Sequence, residues 1–182
     1  TAAATQKGGP NTARITLVQP NIDQADKWEG DHAAANFGKL ARLTPAKPSA
    51  PFAAAADTAP RLILWPEAAI PDYLERGYPD YYYERAPHEA RQRLTALMNP
   101  KDVLLLGAIK LELDDKANAI GARNSVMSLY ADGTLGPRYD KSHLVPYGEY
   151  LPMRPLLSAL GLSRLAPGDL DFWAGPAART IT

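Results

Sequence analysis

Apolar positions along the chain recur with two periods, which divide it into short strands and two amphipathic helices. Arg14 to Gln19 alternates and is β-branched, predicting a strand that ends at Pro20-Asn21. Between Asp31 and Leu43, the residues Ala33, Phe37, Leu40 and Ala41 fall at i, i+4, i+7 and i+8, one face of a helix. Asp31 is placed to cap that helix, and Thr44-Pro45 to stop it. Residues 45 to 60, rich in Pro and Ala, read as a loop with room for one helical turn. Arg61 to Trp65 is continuously apolar after its first residue and predicts a strand buried on both faces.

A second helix is predicted over Pro87 to Met98, with Ala90, Leu94, Leu97 and Met98 as its stripe and Pro87 in the first turn. Asp102 to Ile109 reads as another buried strand. Asn124 to Tyr130 and Thr134 to Tyr139 read as two strands around Ala131-Asp132-Gly133, a hairpin signal. Beyond Lys141, two Pro-rich stretches flank a short apolar helix over Leu156 to Leu162. The order β, α, β, α, β, hairpin predicts an α/β fold with part of the sheet under helices. Thr1 to Thr12 is small, polar and aperiodic, so residues 1–13 read as a flexible leader and 14–182 as the domain.

Composition narrows the function. Lys plus Arg and Asp plus Glu are 20 each, so the net charge is zero. No run of cations supplies the phosphate contacts that nucleic acid requires, and nucleic acid is not an expected partner. The hydrophobic fraction of 46% suffices for a core. The longest clean apolar run, Val103 to Ile109, is far shorter than the ~20 residues that span a bilayer. Cysteine is absent, which removes disulfides, thiolate metal sites and a cysteine nucleophile from these residues. The start at Thr1 rather than Met leads us to expect a processed or excised piece.

Two segments carry candidate chemistry. Glu67 directly follows an apolar strand in Leu64-Trp65-Pro66-Glu67, at the strand end where α/β folds place their sites. Partial burial there would raise its pKa toward use as a general base. On position alone, an ordinary exposed loop glutamate is the commoner outcome. Lys141 to Tyr150 gathers Lys141, His143, Glu149 and two tyrosines directly after the hairpin. A lysine held near a carboxylate can stabilise an oxyanion, a role worth ~10²–10³ in rate. A surface Glu–Lys pair worth less than ~1 kcal/mol stands equally beside that reading. His32, His88 and His143 have no metal-ligand spacing. Tyr78 to Tyr83 reads as loop packing in preference to an interfacial aromatic belt.

Together these segments resemble the nitrilase, or carbon–nitrogen hydrolase, superfamily, which uses a Glu–Lys–Cys triad. Glu67 in Trp65-Pro66-Glu67 and Lys141 in Tyr139-Asp140-Lys141-Ser142-His143-Leu144 match its first two members. The stretch Leu17-Val18-Gln19-Pro20-Asn21-Ile22 with Lys27-Trp28, the run Trp65 to Pro71, and Tyr139 to Pro152 are together similar to the apolipoprotein N-acyltransferases. The similarity runs from about Arg14 to Gly175.

The resemblance implies a four-layer α-β-β-α sandwich, here truncated and incomplete on its C-terminal side. It implies acyl transfer from a phospholipid, through a cysteine thioester, to the α-amine of a lipoprotein's N-terminal cysteine. Glu67 would be the base, Lys141 the oxyanion stabiliser in a dry pocket, and Glu149 a further glutamate positioning the site. Trp28 and Tyr147 would line the lipid side. No metal or cofactor is needed. The family's cysteine would follow Thr182, on a strand beginning near Arg179, so the chain alone should be inactive. Transmembrane segments, absent here, would hold the domain on the periplasmic face of a bacterial inner membrane. The alternatives are a soluble nitrilase-type amidohydrolase and a non-catalytic binding domain on the same scaffold.

Overall fold

The computed structural model describes residues 14–23, 32–44, 60–146, 149–150, 170–177 and 180. Five strands form one sheet in the order β1-β2-β3-β4-β5. They are β1 (Arg14–Leu17), β2 (Arg61–Leu64), β3 (Val103–Leu113), β4 (Ala119–Tyr130) and β5 (Leu135–Asp140). The helices α1 (Ala33–Arg42) and α2 (Pro87–Thr95) provide the two crossovers. They make β1, β2 and β3 parallel, as a helical connection allows. The pairs β3–β4 and β4–β5 are antiparallel hairpins.

Each turn has a local cause. In the first hairpin, Asp114 Oδ1 accepts from the amides of Lys116 (2.9 Å) and Asn118 (2.8 Å), while Ala117 takes φ 63°. In the second, Gly133 takes φ 84° and Asp132 Oδ1 accepts from the Thr134 amide at 2.8 Å. Helix α1 stops as predicted: Thr44 Oγ1 turns back to the Leu40 carbonyl (2.8 Å) and accepts Trp65 Nε1–H (2.9 Å). Its N-cap is His32, with no side-chain capping bond. The cap expected at Asp31 lies outside the described residues, as do the leader, the helix over 156–162 and, apart from Thr180, the strand over 179–182.

Helix α2 is shorter than predicted. After Thr95 the chain tightens, with Leu97 N–H bonded to the Leu94 carbonyl and Met98 N–H to the Thr95 carbonyl. Both side chains still pack on the core. Strands β3 and β4 are longer than predicted, because their outer halves pair with each other. Lys110 and Glu112 on β3 form an ion pair (2.9 Å), and Arg123 on β4 meets Glu112 from across the ladder.

Both helices cover the same face of the sheet. Leu40 of α1 and Ala90 and Leu94 of α2 join Ile63, Leu104, Leu106, Met127 and Leu129 in one core. Each fully buried leucine contributes about 1.5–3 kcal/mol. Among the described residues, no helix covers the opposite face. Ile15 and Leu17 are 59% and 69% exposed, Val126 and Tyr130 are exposed, and Leu62, Leu64, Val103 and Leu105 are half-buried. Strand β2 is therefore buried on one face, not on both as its sequence suggested. The described residues make up one helical layer and one sheet, half of a four-layer sandwich. Among them, no helix is long and apolar enough to cross a membrane.

The tyrosine run packs as a loop. Tyr78 Oη accepts the Leu111 amide (3.1 Å), Tyr82 Oη accepts the Ala119 amide (2.7 Å), and Tyr81 Oη donates to the Ala117 carbonyl (3.2 Å). Three phenols thus fasten the 78–83 segment to the far end of the β3–β4 hairpin.

Candidate active site

Parallel strands end abruptly, and β2 delivers its chain to a tight turn at the sheet's C-terminal edge. The Trp65 amide donates to the Leu105 carbonyl (2.8 Å), completing the ladder. The turn then wraps around Gly107: the Gly107 amide donates to the Pro66 carbonyl (3.2 Å), and the Ala69 amide donates to the Gly107 carbonyl (2.9 Å). Between those two bonds, Ala68 adopts φ 46°, a sparsely populated conformation for a residue with a Cβ. The strained turn projects Glu67 over the open face of the sheet.

Lys141 arrives from the other direction, one residue past β5. Its amide donates to the Asn124 carbonyl (2.8 Å), and its carbonyl accepts the Gly175 amide (2.9 Å). The segment around Phe172 lies beside the outer half of β4, where the Trp173 amide donates to the Ala122 carbonyl (2.7 Å). Glu149 is set by its own loop. Its amide donates to the Val145 carbonyl, and its Oε2 accepts the Val145 amide, both at 2.9 Å.

These elements bring Glu67, Lys141 and Glu149 together. Lys141 Nζ lies 3.3 Å from Glu67 Oε1 and 3.0–3.1 Å from the Glu149 carboxylate oxygens. A residue not singled out in the sequence completes the group: Asn124 Nδ2 donates to Glu67 Oε1 and, at 3.1 Å, to Glu149 Oε1. Its one sequence signal was its place on a predicted strand. Trp28 and Tyr147 lie outside the described residues.

The electrostatics follow from these contacts. Burial works against the Lys141 ammonium, but Glu149 and Glu67 outweigh it and hold the pKa above the ordinary lysine value. Burial likewise works against the Glu149 carboxylate, and the Val145 amide, Asn124 and Lys141 reverse that and hold it below the ordinary value. The side chain of Glu67 is 55% exposed and that of Lys141 is 34% exposed. The described residues therefore do not supply the burial of Glu67, or the dry pocket around Lys141, that the sequence reading expected.

A cavity of about 230 Å³ opens beside the group, walled by Trp65, Gly107, Val126 and Tyr139. Two larger hollows flank it. One of about 430 Å³ lies against the Pro66–Pro71 turn, with Asn21, Tyr73 and Glu84 in its wall. The other, about 620 Å³, lies between His143-Leu144 and Phe172-Trp173. Among the described residues, no group of three or more histidines, aspartates and glutamates is placed to hold a metal ion.

Residues 14–175 match the carbon–nitrogen hydrolase family model. The chain belongs to that family. It is 35% identical over 173 residues to an apolipoprotein N-acyltransferase of Brucella suis biovar 1 (strain 1330), covering 95% of this chain and 29% of the relative. To the enzyme of the same name from Allorhizobium ampelinum it is 34% identical over 178 residues, covering 94% and 30%. The chain thus spans under a third of the length of these curated relatives. A solved N-terminal amidase aligns over 72% of this chain and 28% of its own, with a TM-score of 0.36 and 19% identity.

Proposed function

We propose that this carbon–nitrogen hydrolase domain is the catalytic part of an apolipoprotein N-acyltransferase. It would move an acyl chain from a phospholipid to the α-amine of a lipoprotein's N-terminal cysteine. The observation that carries this is the convergence of Glu67, Lys141 and Glu149 at the end of β2. The likeness to enzymes of that name over nearly the whole chain supports the choice of substrate.

The chemistry is two acyl transfers through a thioester. The thiol must come from outside these residues, which contain no cysteine. Glu67 takes the thiol proton as sulfur attacks the ester carbonyl. Lys141 stabilises the resulting oxyanion with its ammonium, held cationic by its two carboxylate neighbours. The C–O bond breaks, and Glu67 returns the proton to the departing lysophospholipid oxygen. The lipoprotein's amine then attacks the thioester, Glu67 takes a proton from it and passes that proton to the departing sulfur, and the amide forms as the C–S bond breaks. Trp28 and Tyr147 are proposed to contact lipid. The working location is the periplasmic face of a bacterial inner membrane, reached through segments other than those described.

The test expresses the complete gene encoding this chain and supplies a phospholipid with a labelled acyl chain and a diacylglyceryl peptide. Transfer of label to the peptide amine is expected, with Glu67→Gln and Lys141→Ala each reducing it at least about 10²-fold. Hydrolysis of small amides without acyl transfer would instead indicate a soluble amidohydrolase. Lipid binding without either reaction would indicate a binding domain.

A further inference from the structure

We infer that Asn124 is a positioning residue that clamps the two glutamates of the site onto Lys141. It touches all three charged residues. Its main-chain carbonyl accepts the Lys141 amide (2.8 Å), and its side-chain Nδ2 donates to Oε1 of both Glu67 and Glu149. A primary amide nitrogen has two hydrogens, and each carboxylate takes one. The orientation of the amide is set by chemistry, because its oxygen turned toward two carboxylates would face only acceptors.

The consequence is specific. One ammonium does not by itself fix two carboxylates, since its three hydrogens rotate about the Cε–Nζ bond; the Val145 amide holds Glu149 Oε2, and Asn124 ties Glu149 Oε1 to Glu67 Oε1. The two hydrogens of a planar amide keep a fixed angle to each other, and the backbone that carries this one is anchored on both edges by Ile109 of β3 and by Lys141. Asn124 therefore engages Glu67 Oε1 together with Lys141, leaving Oε2 as the oxygen that can take a proton. Glutamine would place the amide one methylene too far. Aspartate would put a third anion against the other two. The clamp is a property of the geometry, and its catalytic consequence rests on the acyltransferase reading.

Two measurements test it. In the 182-residue chain, carboxyl NMR follows the titration of Glu149 in the wild type, Asn124→Ala and Asn124→Asp. Removing the donor should move the Glu149 midpoint upward, and Asn124→Asp should move it further. Asn124→Asp keeps the shape of the side chain, so the test survives if the alanine variant does not fold. In the complete gene product, both variants should lower kcat about 10²-fold, leave KM nearly unchanged, and shift the acid limb of the pH profile upward. An unmoved Glu149 midpoint in both variants overturns the clamp, as does a moved midpoint with unchanged kcat and pH profile. A wild type that moves no acyl chain while the Glu149 shift is present rejects the acyltransferase reading and leaves the clamp standing.

Discussion

Gly107 and Glu67 are in backbone contact: a Cβ on Gly107 would lie 2.5 Å from the Glu67 Cα. The same methyl would lie 2.5 Å from the Ala68 nitrogen and 2.6 Å from the Pro66 oxygen. All three are backbone atoms, which cannot rotate away. The turn that carries Glu67 is thus cast against β3, and its shape depends on the absence of a side chain there.

Gly107→Ala should therefore cost at least about 1–3 kcal/mol of stability and displace Glu67 from Lys141. Denaturant unfolding measures the first, and loss of labelled-acyl transfer by the complete gene product measures the second. Wild-type stability in the variant would show that the turn yields more readily than its contacts imply.

The charged cluster predicts a pH dependence. Glu149 has a folded pKa below its ordinary value of 4.5, so its contribution to stability is present above that pH. It is lost as pH falls through the lowered folded value. Lys141 has a folded pKa above 10.5, so its contribution is present below that pH and is lost as pH rises through the raised folded value. Unfolding midpoints measured across pH for the wild type and Glu149→Gln should diverge above about pH 4.5 and converge in acid.

Arg61 and Asp102 form a buried ion pair, with side chains 5% and 1% exposed. Arg61 Nε donates to Asp102 Oδ2 at 2.9 Å, and that oxygen also accepts the Asn99 amide at 2.8 Å. Asp102→Ala would leave the guanidinium buried without this partner. The expected loss is about 3–5 kcal/mol, read by thermal or chemical denaturation. A loss under about 1 kcal/mol would mean that water reaches Arg61.

The open face of the sheet predicts association. Ile15 and Leu17 stand exposed on β1, the edge strand of the sheet among the described residues, and edge strands with apolar side chains invite pairing. The 182-residue chain should sediment as a concentration-dependent mixture and bind an apolar dye. Leu17→Lys should shift it toward monomer. A monomeric, dye-silent wild type would mean that this face is already covered.

Much of the architecture was legible because it is local. Pro66 after an apolar strand, Asp132-Gly133 between alternating runs and Thr44 after a helical stripe each act within a few residues of themselves. The outer halves of β3 and β4 were not legible, since Lys110, Glu112 and Arg123 break the apolar pattern and their charges meet only once the two strands pair. Asn124 was missed for a similar reason. An asparagine within a strand has no distinguishing local pattern, and what distinguishes it is two carboxylates brought from 57 residues before it and 25 after it.

By itself the sequence determined the succession of strands and helices, the strand end bearing Glu67, the loop bearing Lys141 and Glu149, and the absence of a thiol. Those depend on side-chain periodicity, on proline and glycine geometry, and on composition, all carried by neighbouring residues. The tertiary structure decided that Glu67 and Lys141, 74 residues apart, share a contact at 3.3 Å, that Asn124 joins them, and that the described helices cover one face of the sheet and leave Ile15 and Leu17 exposed on the other. Those outcomes depend on strand order and register, which follow from how the elements bury their apolar faces together and not from any one segment.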